Sequence, residues 1–380
     1  MLDVTRGLFD WVSTPQGLLA FLFVITLVVF FHELGHFLAA RLFGVTVEVF
    51  SVGFGKEIVG WTDRRGTRWK VSWLPIGGYV KFAGDADAAS RPDHAAAEAM
   101  SEEERKGVLL FKPLHQRAWV AASGPLANFV LAITILTGLF LYNGHNIIPP
   151  IVGVVTKDSP AAGAGIRPGD RVTRVDGTAI TDFQQLPEII SVSGGSPLAV
   201  GISRAGQDLI IWVTPRLSKT RDALGNNTRQ MMIGIGPDIR VPVIHERYGP
   251  AGAFTAACSE TWGILKNTIL GIAQMIGGHG SADQISGPVG IAKMTHQVAK
   301  FGFLALLNLA AILSVSIGLA NLFPIPLLDG GHLLYYACEA VLGRPLGARA
   351  QDVGFRLGLV LVLGLVLLTT WNDLVRLNLF

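Results

Sequence analysis

Charged residues are scarce in this chain of 380 residues. Asp, Glu, Lys and Arg make up 16% of the sequence, whereas soluble domains carry about 25%. Half of the residues are hydrophobic (50%) and the mean hydropathy is +0.46, so the composition predicts an integral membrane protein. The net charge of +3 is too small to indicate a nucleic acid partner, and we expect none.

Cysteine is also nearly absent. The two cysteines, Cys258 and Cys338, lie far apart and form no C-x-x-C motif. This scarcity excludes a disulfide framework and a cysteine-based zinc site. We expect the two thiols not to pair with each other.

Long apolar runs are abundant. A bilayer-crossing helix needs roughly 20 mostly apolar residues. Four runs meet this length: 17–40, 118–142, 303–323 and 353–371. A fifth candidate, 250–276, contains Glu260, Lys266 and Gln274, which suits an amphipathic helix on a membrane surface better than a span. The predicted fold class is therefore a multi-pass α-helical membrane protein with four transmembrane helices.

The loop charges predict an orientation. The segment 41–117 holds twelve Lys and Arg residues, and the short connection after the third run holds Arg344 and Arg349. The positive-inside rule places both of these loops in the cytoplasm and both termini outside. The long region between the second and third spans then lies outside the cytoplasm.

The first span ends in FFHELGHFLAA (30–40), which places three polar side chains in an apolar run. His32 and His36 are four residues apart, so about 400° of helical rotation puts both imidazoles on one face. That spacing suits two zinc ligands. Glu33 is offset by about 100° and is suited to take a proton from a water, as in the H-E-x-x-H zinc proteases.

A catalytic zinc site uses three protein ligands. The span count brings the end of the third span, NLFPIPLLDGGH (321–332), to the same side and a similar depth as the two histidines. Asp329 is the only acidic residue between Asp283 and Glu339, so it is the predicted third ligand. His332 could compete as a ligand, but we expect a supporting role for it.

Two prolines precede Asp329. Pro324 and Pro326 forbid a regular helix and remove two N–H donors, so the backbone must unwind there. Irregular backbone at membrane depth is tolerated only where it is buried or lines a wet cavity. A metal ligand carried by a loop, such as Asp329, requires irregular backbone of this kind.

The second predicted span begins with SGPLANF (123–129). We expect Pro125 in the first helical turn, where no backbone N–H is required. Asn128 follows inside the apolar run, and an amide in lipid needs a partner. We expect an interhelical hydrogen bond, worth about 0.6 kcal/mol.

The stretch TRWKVSWLPIGGYVKFAG (67–84) predicts two short extended runs broken by Pro75 and by Gly77-Gly78. One interpretation is an ordinary amphipathic hairpin that packs on the rest of the protein. The other is a re-entrant β element with an open edge that could pair with an extended chain.

The region between the second and third spans resembles a PDZ domain. SPAAGAGIRPGD (159–170) provides a Gly-rich loop with Gly163 and Gly165, and a hairpin is predicted about RAGQ (204–207). Such domains capture a peptide or chain end by β-augmentation. The alternative is a spacer domain whose groove is blocked.

The motifs occur in a fixed order: HELGH, GGYVKFAGD (77–85), SGPLANF, the PDZ-like region, SGPVGIA (286–292) and NLFPIPLLDGGH. Together they resemble the site-2 protease family, in particular the bacterial RIP zinc metalloproteases similar to the regulator of sigma-E protease. The resemblance covers nearly the whole chain.

This resemblance implies a zinc metalloendopeptidase that cleaves transmembrane segments within the bilayer. It implies Zn²⁺ bound by His32, His36 and Asp329, with Glu33 as the catalytic acid/base. It further implies transmembrane protein substrates, such as anti-sigma factors or remnant signal peptides, cut in regulated intramembrane proteolysis. Substrate contacts are expected from Asn321, Pro324, Pro326, Gly77 and Gly78, although Asn321 could instead cap the broken helix.

The implied location is the bacterial inner membrane, in contact with lipid, with the active site near the cytoplasmic face and the PDZ domain in the periplasm. The predicted segments are 1–42 (first span), 43–117 (cytoplasmic loop with the β element), 118–142 (second span), 150–240 (PDZ-like), 248–300 (amphipathic), 303–332 (third span and LDGGH) and 353–374 (fourth span).

The sequence leaves two alternatives to a protease open. A zinc transporter also places His and Asp in spans, but it usually has more of them, and a Glu held off the metal favours hydrolysis. A membrane scaffold would bind partners through the PDZ domain and carry an inactive site. The presence of both Glu33 and Asp329 argues against an inactive site.

Overall fold

A computed structural model describes residues 15–85, 99–191, 193–221, 227–277 and 287–376. Parts of the predicted segments 1–42, 43–117, 150–240 and 248–300 lie outside these residues. The chain forms two compact units. One comprises Met1–Leu136 with Ser286–Phe380, and the other comprises Thr137–Ile285.

The described helices are, in chain order, α1 (Pro15–Leu42), α2 (Glu102–Arg105), α3 (Leu114–Asn143), α4 (Pro160–Gly163), α5 (Gln185–Ser191), α6 (Pro250–Ile276), α7 (Pro288–Ala299), α8 (Phe303–Asn321), α9 (Asp329–Leu342) and α10 (Ala348–Arg376). The strands are β1 (Val47–Thr62), β2 (Arg68–Phe82), β3 (His145–Ile147), β4 (Val152–Val155), β5 (Arg171–Val175), β6 (Thr178–Ala179), β7 (Leu198–Arg204), β8 (Gln207–Val213), β9 (Arg216–Arg221), β10 (Asn227–Met232), β11 (Ile235–Pro237) and β12 (Ile244–Glu246).

Four of these helices, α1, α3, α8 and α10, are long and apolar enough to cross a membrane. The chain is thus a multi-pass membrane protein. In the first unit, α1 and α8 share a buried apolar cluster of small and branched side chains, with partly buried residues of α7 packed against it. Its buried members are Ala20, Val24, Leu306, Leu309, Ala310 and Leu313.

The third span breaks where the prolines predict. Helix α8 ends at Asn321, the backbone is non-helical from 322 to 328, and α9 begins at Asp329. The expectation for Pro125 is wrong, because this proline lies inside α3 rather than in its first turn. The helix starts earlier, at Leu114, and a proline inside a membrane helix is tolerated because neighbouring groups compensate for the lost hydrogen bond.

The β element is larger than the sequence predicts. Strand β2 runs as one strand through Pro75 and Gly77-Gly78, and its partner β1 was not predicted. Residues 49–52 pair with two stretches of β2, 68–71 and 78–81, so the strands fold back on themselves at several register shifts. Glycines with positive φ, including Gly77 at 111°, permit this conformation.

The second unit contains a four-stranded sheet in the order β6-β5-β7-β8. Its core includes Val172, Val200, Ile202 and Val213, which are nearly or fully buried. Strands β7 and β8 pair in register through the predicted RAGQ hairpin. Ala205 and Gly206 at its turn have positive φ of 49° and 82°, which suits the twist of a two-residue hairpin.

A buried ion pair supports this sheet. Asp170 is 1% exposed, and both of its oxygens accept 2.7 Å hydrogen bonds from Arg204. Arg204 also donates to the carbonyl of Gly165 at 2.7 Å, and the backbone N–H of Arg167 donates to Asp170. Burial alone would raise the pKa of the Asp170 carboxyl, but these donors outweigh burial and hold that pKa below its usual value.

We predict that Asp170→Asn destabilises this unit by about 1.5–3 kcal/mol, because it removes charge-assisted hydrogen bonds from a buried site. Because the carboxyl has a lower pKa in the folded state, its ionised form stabilises the fold at pH values above the ordinary carboxyl pKa of about 3.9. This stabilisation is lost as the pH falls through the lowered folded-state pKa. Amide hydrogen exchange of β5 and β7 in the full chain measures both effects.

The matched control is Asp208→Asn, at an exposed position of the β7–β8 hairpin that carries Arg204. We expect it to leave exchange unchanged. Equal protection of β5 and β7 in wild type and Asp170→Asn at neutral pH would contradict the prediction.

Candidate metal centre

The centre begins on one face of α1. His32 and His36 are 8% and 9% exposed, and their Nε2 atoms lie 3.3 Å apart. The four-residue spacing predicted this proximity. The two rings meet edge to face, with centroids 4.9 Å apart.

Asp329 completes the cluster from α9. Its Oδ2 lies 3.2 Å from His32 Nε2, and its Oδ1 lies 3.4 Å from His36 Nε2. One ligand atom from each of the three residues falls within 4.8 Å of the others. The structure therefore brings together the three predicted ligands. His332, the alternative, is not in this cluster, and its ring lies 6.5 Å from that of Tyr336.

The donor set fits a zinc ion. Asp329 Oδ2 is buried without a hydrogen-bond partner, although His32 Nε2 is close to it. Two imidazole nitrogens and a carboxylate thus converge on one point, and each can offer a lone pair. A buried acceptor without a donor is costly, so a cation at this point would stabilise all three groups.

The ring of His36 is oriented by backbone. Its Nδ1 donates to the carbonyl of Val120 at 2.8 Å, which leaves the Nε2 lone pair for a metal. This contact requires α1 and α3 to approach closely. A Cβ on Gly35 would overlap the carbonyl of Ser123, and a Cβ on Gly124 would overlap the imidazole of His36. The two glycines therefore permit the approach.

Asp329 is held by tight packing of the broken helix. A Cβ on Gly330 would overlap the carbonyls of Leu322 and Phe323, and one on Gly331 would overlap that of Ile325. Leu327, two residues before Asp329, has φ of 100°, which is a strained conformation for a non-glycine residue.

The fourth span supports the same loop. A Cβ on Gly354 would overlap the hydroxyl of Tyr335, and one on Gly358 would overlap the carbonyl of Pro326. Neither glycine was predicted from the sequence to support the site. Their four-residue spacing in an apolar helix was the available signal, because small residues at this spacing permit close packing in membranes.

Glu33 lies beside the β element. It is partly buried, and the backbone N–H of Val80 is within hydrogen-bonding reach of its carboxylate. A Cβ on Gly78 would lie 3.3 Å from Glu33 Cγ, so β2 passes directly along the acid. Gly77 packs instead against Phe54, 2.6 Å from a Cβ position.

The remaining predicted residues are more dispersed. Asn321 is the last residue of α8, Pro324 is exposed in the loop, and Pro326 packs against α10. In the second unit, Gly163 ends α4, and Gly165 has φ of 87° with its carbonyl bonded to Arg204.

Similarity to known proteins shows the family of the chain. Residues 20–365 match the model of peptidase family M50. The chain belongs to peptidase family M50. A protein of Agrobacterium fabrum named as a candidate zinc metalloprotease is 45% identical over 355 residues, covering 93% of this chain and 94% of its own length.

Two further relatives are similar in length. One from Rhizobium meliloti, with the same kind of name, is 46% identical and covers 93% of this chain and 95% of its own length. Metalloprotease MmpA of Caulobacter vibrioides is 39% identical, with 96% of each chain covered. This family member is therefore a metalloprotease that uses zinc.

A structural neighbour was found for part of the chain. The PDZ domain of an SdrC-like protein from Listeria innocua covers 26% of this chain and 99% of its own length. It is 21% identical to this chain, with a TM-score of 0.20.

We predict that Gly124→Ala weakens zinc binding by about 10- to 100-fold, because the added methyl displaces the His36 ring from its bond to Val120. Competition with a chelator measures the affinity. Gly138→Ala is the matched control in the same helix, since a Cβ there meets open space. Equal affinities of the two variants would contradict the prediction.

We also predict that Gly358→Ala lowers zinc affinity and proteolysis together, because the methyl pushes Pro326 and the loop carrying Asp329 out of place. Gly364→Ala in the same helix meets nothing within 4 Å and should behave as wild type. Metal content and substrate cleavage, measured side by side, test this. An unaffected Gly358→Ala variant would show that the loop does not depend on α10.

Proposed function

We propose that this metalloprotease cleaves transmembrane segments of membrane proteins within the bilayer. The observation that carries the proposal is the position of the His-His-Asp cluster. Two ligands lie on α1 and the third follows the broken end of α8, and both helices are long and apolar enough to span a membrane. A soluble substrate would not require a metal centre built from such helices.

In this proposal, His32, His36 and Asp329 hold the zinc. When bound, zinc supplies a Lewis acid that polarises the scissile carbonyl and lowers the pKa of a water toward about 7. Glu33 takes a proton from the water that attacks the carbonyl carbon. It then gives this proton to the leaving nitrogen as the C–N bond breaks.

We further propose that the substrate lies extended along residues 78–82 of β2. In the register of the two strands, this stretch pairs with 47–52 alone, and it runs beside Glu33. Among the described residues no further strand joins this sheet. A substrate strand added at its open edge would present its backbone to the centre, with Gly77 and Gly78 permitting close approach.

A membrane setting for the hairpin is part of the proposal. Trp61 and Trp73 are 57% and 74% exposed, and Ile58 and Val59 of β1 are exposed as well. Exposed tryptophans with aliphatic neighbours suit a membrane interface. The hairpin is therefore proposed to be re-entrant.

The other roles follow from the family resemblance. Asn321 is proposed to donate to developing charge on the scissile carbonyl, with Pro324 and Pro326 shaping the substrate site. Single-span proteins such as anti-sigma factors, or remnant signal peptides, are the proposed substrates in regulated intramembrane proteolysis. Residues 150–240 of the second unit are proposed as a periplasmic PDZ domain that binds a peptide or chain end. The inner membrane is the proposed location, with the centre near the cytoplasmic face.

We predict that Glu33→Gln lowers cleavage of a tagged single-span membrane substrate by about 10²- to 10⁴-fold, because the variant has no carboxylate to accept the proton. Zinc content should stay at the wild-type level, since Glu33 is not in the ligand cluster. Immunoblotting of cells and metal analysis of the purified chain provide the two measurements.

Two further variants frame this experiment. His36→Ala should lose zinc and cleavage together, whereas Glu103→Gln, at an exposed position, should change neither. Cleavage by Glu33→Gln at the wild-type rate and with normal zinc content would contradict the proposed mechanism.

A further inference from the structure

One buried polar side chain near the centre is not used by the mechanism above. Asn128 of α3 is 0% exposed, and its amide Nδ2 lies 3.2 Å from His32 Nδ1. The other ring nitrogen of His32, Nε2, faces Asp329 at 3.2 Å and His36 at 3.3 Å. Asn128 therefore touches the side of the imidazole that points away from the ligand cluster.

The chemistry of imidazole determines what this contact must be. A neutral ring has one N–H and one lone pair, and a metal bound at Nε2 takes the lone pair. The proton then resides on Nδ1, which needs an acceptor. The Asn128 amide can supply this acceptor, its oxygen Oδ1, which is buried and has no hydrogen-bond partner. A half-turn of the amide exchanges its nitrogen and oxygen at almost no change in shape.

We propose that Asn128 is a positioning residue for the zinc centre, whose Oδ1 accepts a hydrogen bond from Nδ1–H of His32. This inference rests on the proposed role of His32 as a zinc ligand. The bond fixes the tautomer and the direction of the ring, as the carbonyl of Val120 does for His36. One ligand is thus oriented by backbone and the other by a side chain.

Contacts with α8 fix the position of the backbone at Asn128. Ser314 of α8 donates to the carbonyl of Asn128 at 2.8 Å, and a Cβ on Gly318 would lie 3.1 Å from Asn128 Cβ. The side chain therefore projects from a close contact between α3 and α8. The interhelical hydrogen bond expected for this amide from the sequence is thus a bond to a predicted metal ligand.

The test uses the detergent-solubilised full chain and zinc itself. Asn128→Leu keeps the approximate size but removes the acceptor, and we expect its zinc affinity, measured by chelator competition, to fall about 10- to 100-fold. Asn128→Asp keeps an oxygen acceptor at the same place and should bind zinc at least as tightly as wild type. Cobalt-loaded samples provide a second readout, with the visible spectrum altered in Asn128→Leu and wild-type-like in Asn128→Asp.

Thr295→Val is the control for loss of a buried polar group, because Thr295 is 0% exposed and its hydroxyl donates to the carbonyl of Ile291 in its own helix. It should leave zinc affinity unchanged. Wild-type affinity in Asn128→Leu, or equal weakening in Asn128→Asp and Asn128→Leu, would overturn the inference. Failure of the wild-type chain to bind zinc would instead overturn the proposed function beneath it.

Discussion

The convergence of three lone-pair donors at one buried point is the constraint on which the membrane unit depends. His32, His36 and Asp329 approach within a few ångströms in a place where Asp329 Oδ2 has no hydrogen-bond donor. Without a cation, such a group carries the full cost of its lost hydration. Zinc binding would therefore also contribute to the free energy of folding. The surrounding packing must hold the three ligand side chains in position for the metal.

Glycines and backbone groups make the contacts nearest to the ligands. Lipid is as apolar as leucine, so helices in a membrane gain little from hydrophobic burial and associate through close contact instead. Gly124 lets α3 lie against the His36 ring, and Gly358 lets α10 lie against the loop that leads to Asp329. Each contact fixes one ligand, so the geometry of the centre is distributed over α1, α3, α9 and α10.

The sequence predicted the ligands because they follow local rules. Helical periodicity places His32 and His36 on one face, and span parity with two prolines delivers Asp329 to the same depth. Prediction from the sequence failed where contacts between distant residues determine the structure. Strand β1 contains glycines and charged residues that obscure its alternation, and only pairing with β2 makes it a strand. The partner of Asn128 and the contacts of Gly358 likewise depend on which helices meet, and single-residue patterns do not encode that.

The proposed cleavage inside a membrane poses a problem that the β element would answer. A substrate helix satisfies its own backbone groups, and unwinding it in lipid exposes N–H and C=O groups at several kcal/mol each. The stretch 78–82 has a sheet partner on one side, at 47–52, and runs past Glu33. In the proposed reaction, a substrate strand added there regains hydrogen bonds only beside the metal ligands. Under this proposal, hydrolysis is confined to segments whose helices unwind easily, because the added strand offsets only part of the free-energy cost of unwinding.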